Sequence, residues 1–164
     1  MAKLVYGISK LELGVPTDLA TMPAVVTQFA ETVKGSFTLA ETEATTVDAE
    51  TEESAAPLDS IIDKEGVLEG NWRTYDYTPA QLVKVKGGEV SGDKWIAPVT
   101  TPDIYNALKI TTKAGPVMNV YKAKIWARFT GVISKTGYSE VEVKFKALSP
   151  ASGLAPYEWD TDPA

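Results

Sequence analysis

The chain alternates apolar and polar side chains over much of its length, the period-two signature of strands that bury one face. The clearest case is C-terminal. Between 117 and 133, Tyr121, Ala123, Ile125, Ala127 and Phe129 share one face, while Lys122, Lys124, Arg128 and Thr130 take the other. After a turn at 134–137, residues 138–147 repeat the pattern. There Val141, Val143 and Phe145 point inward, and Glu142, Lys144 and Lys146 point outward. The pair predicts an antiparallel hairpin with one wet face. Upstream, residues 4–13 and 24–29 read as strands on either side of the turn Gly14-Val15-Pro16-Thr17-Asp18. Residues 36–48 alternate for a long way, with Phe37, Leu39, Glu41 and Glu43 on one parity. Thr and Val suit an extended chain there, and Glu and Ala suit it less.

One segment departs from this period. Thr78-Pro79-Ala80-Gln81 predicts a helix start, with Thr78 and Gln81 as a capping box and Pro79 at the first position. Leu82, Val83 and Val85 give it an apolar side. Lys84 and Lys86 fall in the last turn, where the helix dipole favours cations, and Gly87-Gly88 ends it. About seven strands and one short helix predict a mainly β domain. Its expected form is an antiparallel β-sandwich or partly closed barrel with one short flanking helix. The domain is expected to cover residues 1–150, with 151–164 as a C-terminal tail.

Composition then narrows the chemistry. The 164 residues include no Cys and no His. That excludes disulfides, zinc sites built on Cys or His, iron–sulfur clusters, thiol nucleophiles and His-based triads. The balance favours a protein that is not an enzyme and uses neither cofactor nor metal. No window approaches the roughly 18 apolar residues of a membrane helix, so no membrane partner is expected. The start, Met1-Ala2-Lys3-Leu4-Val5-Tyr6-Gly7, lacks the sustained apolar run of a signal peptide.

Charge is unevenly spread. Residues 1–104 carry 8 basic and 17 acidic side chains, whereas residues 105–148 carry 8 basic and 2 acidic. Opposite patches are therefore expected to meet, within the fold or between copies. No basic residue occurs between Lys34 and Lys64. That interval holds Glu41, Glu43, Asp48, Glu50, Glu52 and Glu53, and reads as an acidic extended hairpin or loop over 36–63.

Several constellations suggest chemistry. Gly87, Gly92 and Lys94 resemble a damaged phosphate loop, but Asp93 stands where a Lys is needed and the helix precedes the loop. Asp48, Glu50 and Glu52 alternate like a calcium loop without its glycine or closing Glu. Trp72, Tyr75, Tyr77 and Trp95 could form a platform for sugar rings. Lys122, Lys124, Arg128, Lys144 and Lys146 could form a basic face for nucleic acid, with Trp126 and Tyr138 for stacking. Trp126 lies on the polar parity of its strand, which points to a partner surface.

Taken together, the strand at 4–13, the acidic stretch at 36–48, the Thr-Pro helix at 78–86 and the basic hairpin at 117–148 resemble the major tail tube proteins of long-tailed bacteriophages. The layout is similar to the wider injection-tube superfamily. The resemblance implies a structural virion protein, made in a bacterial host cytoplasm. Its subunits would form homo-hexameric rings, with hairpins joined into one inner ring barrel. The rings would stack into a hollow tube around a tape-measure protein, with tail-end proteins as further partners. DNA would transit without specific binding. On that scheme Glu41, Glu43, Asp48, Glu50, Glu52 and Glu53 line the lumen. Trp126, with Lys122, Lys124, Arg128, Lys144 and Lys146, belongs to a subunit interface. The competing expectation is a monomeric β-sandwich binding module, either a phage decoration domain or a carbohydrate-binding domain.

Overall fold

The computed structural model describes residues 2–163. Its longest strand is the C-terminal pattern just noted, β10 (Val117–Thr130), the fourteen-residue spine of the fold. Ahead of it in the chain come β1 (Ile8–Gly14), β2 (Val26–Gln28), β3 (Thr38–Glu41), β4 (Thr45–Ala49), β5 (Asp59–Lys64) and β6 (Leu68–Thr74). The helix α1 (Pro79–Lys86), β7 (Glu89–Ser91), β8 (Lys94–Ile96) and β9 (Ile104–Thr112) follow. After β10 come β11 (Glu140–Ala147) and β12 (Tyr157–Asp160). The main sheet runs β2-β1-β9-β10-β11-β6-β3, antiparallel throughout, with β12 also paired to β10.

The alternation of β10 holds from Tyr121 to Ala127, and two irregularities shape the strand around it. Val120 pairs with Leu108, but Ala123 pairs with Asn106, so β10 carries one extra residue there. Such a bulge switches which parity faces the core. Met118 and Val120 are buried before it, and Ala123 and Ile125 after it. On its other side, β10 pairs through Ala123–Thr130 with β11 and through Val117–Val120 with β12. The chain therefore leaves the sheet after Leu148, makes an excursion, and rejoins the same strand edge at Tyr157. Residues 157–160 are thus part of the main sheet.

The sheet does not close into a barrel: among the described residues, its end strands β2 and β3 do not pair with each other. It doubles over instead, so that its two halves face each other as in a sandwich. Trp72 of β6 holds this arrangement. Its fully buried indole meets Phe29 edge-on at 6.1 Å, Phe37 stacked at 6.2 Å and Phe145 tilted at 5.9 Å. Phe29 belongs to the β1 side, where its amide donates to the Leu11 carbonyl. Four residues on, the Val33 amide donates to the Arg73 carbonyl at the opposite edge, and the Ser36 hydroxyl ties down the same turn. The segment between Phe29 and Phe37 is a strap across the gap between the sheet's ends. Gly70 faces Phe145 in register, and a Cβ there would lie 2.5 Å from the Phe145 ring and 2.7 Å from the Thr38 carbonyl oxygen. Only glycine lets the ring cross β6 at that point.

The helix caps one end of the sandwich, with Leu82 and Val85 buried. Its start differs from the expected capping box: the Thr78 side chain makes no cap bond. The Thr78 hydroxyl donates instead to Asp76 Oδ1 at 2.7 Å, and the backbone turn carries the cap through Gln81 N–H to Thr78 C=O. The long extended stretch is also interrupted. β3 joins the main sheet, residues 42–44 break the strand, and β4 pairs only with β5.

Trp72→Ala should cost roughly 3–5 kcal/mol, the usual range for a buried aromatic, because it empties the joint between the two halves. Urea unfolding followed by circular dichroism would measure it. Trp126→Ala, at a half-exposed position, should cost under about 1 kcal/mol.

Candidate functional site

The acidic carboxylates and the basic side chains singled out by the sequence lie in very different surroundings. The basic ones stand on the outer face of the β10–β11–β6 sheet, where strand register makes a grid of alternating charge. Arg128 faces Glu142 in register, and Glu142 faces Arg73. The Arg128 guanidinium donates to Glu142 Oε2 at 2.8 Å, and Arg73 reaches Glu140 at 3.0 Å. Lys124 pairs with Asp103 at 2.9 Å and Lys122 with Asp18 at 3.1 Å. Lys146 approaches Glu69 at 3.8 Å and Lys144 approaches Glu142 at 3.9 Å. Every lysine and arginine expected to attract a partner already has a carboxylate of its own chain. The opposite patches meet within the fold. A face neutralised in this way is a poor platform for phosphates.

Trp126 sits in this grid opposite Lys144 and is 39% exposed. It borders a shallow concavity of about 190 Å³ with Val85, Val99, Pro102 and Ile104. Trp72, Tyr75, Tyr77 and Trp95, which could have formed a platform for sugar rings, lie in different surroundings. Trp72 is in the core. Tyr77 stacks on Phe129 at 5.3 Å and donates its phenol proton to the Glu140 carbonyl. Trp95 meets the Phe129 ring edge-on at 5.8 Å and donates its indole N–H to the Gly87 carbonyl. Lys86 lies 4.8 Å from the Phe129 centroid, so this group fastens α1 to β10. Tyr75 and Tyr138 form a second exposed pair, 5.4 Å apart and tilted by 58°. Gly92 turns the small β7–β8 hairpin at φ 59°, which accounts for the glycine without a phosphate loop.

The acidic residues divide into two groups. Glu41 lies in β3, where its Oε1 accepts from the Tyr157 hydroxyl at 3.1 Å, and Glu43 lies in the connector that follows. Asp48 is on β4, Glu50 just beyond it, and Glu52 and Glu53 at the tip of the β4–β5 hairpin. From Thr45 to Glu65 every residue is exposed. The hairpin therefore projects from the body with both faces wet. Val47, Leu58, Ile61 and Ile62 are 53%, 70%, 61% and 57% exposed. Register sets Val47 opposite Ile61 on one face; Asp48, Ser60 and Ile62 share the other. Among the described residues, none of Asp48, Glu50, Glu52, Glu53, Asp59 and Asp63 forms an ion pair. The sequence showed this segment's acidity but not its isolation. The four aliphatics were the available signal.

Among the described residues, no three Asp or Glu side chains gather as a metal site would require, and no helix is long and apolar enough to cross a membrane. Compared with known proteins, the chain matches no family model and no curated relative.

Three groups titrate abnormally, all at the alkaline end. Burial pushes the Tyr121 phenol up to about 12, and the nearby Glu158 carboxylate adds to the shift. Burial, then the Glu41 carboxylate, raises Tyr157. The hydrogen bond to Asp103, then its charge, raises Lys124. A group with a raised folded pKa stabilises fully below its unfolded pKa and loses that contribution as pH climbs through the folded one. The urea midpoint should therefore fall as pH rises from 10 towards 12. Tyr121→Phe should flatten that fall, because it removes the ionising oxygen; an equally steep fall in the variant would assign the alkaline limb elsewhere.

Proposed function

We propose that the chain is a structural subunit that assembles with copies of itself, in the manner of the phage tail tube proteins it resembles. Its working form would be homo-hexameric rings stacked into the hollow tail tube of a virion. A tape-measure protein would lie inside during assembly, and tail-end proteins would close the tube. DNA would pass through without specific binding. No catalytic group is needed for this role.

The observation that carries the reading is the β4–β5 hairpin. Two strands alone are marginal in water, because they bury too little to offset the loss of chain entropy. This hairpin leaves four large aliphatics and two strand edges open to solvent. Such a feature is an aggregation hazard unless a partner covers it. A repeating assembly provides that partner at every copy. The self-paired basic face fits the same role, since free lysines along a channel would hold DNA in a salt-dependent way.

Electron microscopy of the purified protein tests this directly, with rings or tubes as the expected result. Ile61→Lys combined with Ile62→Lys should keep the circular dichroism and thermal midpoint of the parent while abolishing assembly, because both positions are exposed in the single chain. A protein that stays monomeric at high concentration would overturn the reading. It would favour the monomeric binding module, for which the exposed Tyr75–Tyr138 pair would be the place to look for glycan binding.

A further inference from the structure

In a tube two places are open to the hairpin: the wall of the channel, or a neighbouring subunit. The geometry points to the second. We infer that the β4–β5 hairpin of one copy docks into the groove at the seam of another copy's sheet, and this rests on the self-assembly reading above.

The groove has a volume of about 930 Å³ and opens where β2 and β3 fail to pair. Ile8, Leu11, Phe37, Leu39, Ile110 and Met118 are among its apolar lining. Lys10, Lys34 and Lys113 stand among its lining residues, against a single carboxylate, Glu31. Lys10 is held by Glu12 at 3.1 Å. Lys34 and Lys113 have no ion-pair partner among the described residues. The hairpin is the complement on both counts. Ile62 lies on the face that also carries Asp48 and Ser60, so apolar and acidic side chains would enter together. The basic sheet face cannot be their counterpart, since its cations are already paired. A wet channel wall would leave Ile62 exposed, whereas the groove would remove it from water, worth about 25 cal/mol per Å² of apolar surface. The two surfaces are different parts of one molecule, so the contact is head-to-tail and propagates from copy to copy until it closes into a ring or continues as a filament.

The absence of cysteine makes a clean test possible. Ser9→Cys places a thiol at the groove and Ser60→Cys places one on the docking face of the hairpin; both serines are exposed. A disulfide forms only when Cα atoms come within about 7 Å. Mixing the two single variants under assembling conditions and oxidising should give chiefly the mixed dimer, and a chain carrying both changes should give a ladder of covalent multimers. Rings or tubes that yield no mixed link, or only a link between two Ser60→Cys chains, would overturn the docking and leave self-assembly standing. A link within one doubly substituted chain would also overturn it, because the hairpin would then occupy its own groove. No assembled particle under any condition would overturn both. Independently, Lys34→Glu with Lys113→Glu should raise the concentration for half-assembly by about tenfold, as expected for two lost surface pairs converted at 1.4 kcal/mol per tenfold. An unchanged midpoint would overturn the charge complementarity on which the docking rests.

Discussion

The fold depends on one joint: a single open sheet has to bring its two ends together, and Trp72 is where they meet. Backbone pairing does not close the sheet, so side chains must. Phe29 from one end, and Phe37 and Phe145 from the other, pack on the same indole. The strap from Phe29 to Phe37 is bonded at Leu11 on one side and Arg73 on the other. The short end strands follow from this. β2 has three residues and β3 has four, so neither offers a long free edge. The same closure, made by side chains rather than hydrogen bonds, leaves the seam unfilled over part of its length. That unfilled part is the groove. The chain leaves β3 on the groove's rim and proceeds directly into the projecting hairpin.

Electrostatics divides the molecule along similar lines. Exposed ion pairs contribute only about 0–1 kcal/mol each, so the grid on β10, β11 and β6 adds little to stability. Its effect is to cancel the field of a strongly basic segment. Among the described residues, seven ion pairs serve the body and none involves the hairpin's carboxylates. Charge that the sequence displayed as two opposed blocks is neutralised where strands bring it together and left bare where the chain departs from the sheet.

What could be read from the sequence follows from what each element buries. β10 and β11 were legible because one face is wet and the other dry, so their parity is written in residue type. The helix was legible from Pro79 and the Gly87-Gly88 stop, although Asp76 captured the Thr78 hydroxyl that a capping box would have used. The bulge between Val120 and Ala123 left no compositional mark, since both parities around it are buried. Trp72 is one of the four aromatics that could have formed a sugar platform, and its neighbours Glu69, Asn71 and Arg73 are polar. Yet Leu68, Gly70, Trp72 and Thr74 share the other parity of β6, and that alternation places the indole inside. The acidic stretch divided for a reason of pairing: Thr38–Glu41 found β6, and everything beyond residue 44 found only its own return strand.

That return strand has a consequence for how an assembly would grow. A hairpin exposed along its whole length draws little support from the body, so much of its ordering entropy would be lost only on docking. Each docking event is then weak for the area it buries. Every copy, however, carries both a hairpin and a groove, and a copy inside a ring would use both, whereas a terminal copy would use one. If copies dock in this way, association would be unfavourable for the first contacts and favourable once a ring closes, when no docking face and no seam would remain open. Closure would also cover the docking face of every hairpin, so a finished ring would be less prone to further association through that face than any of its intermediates.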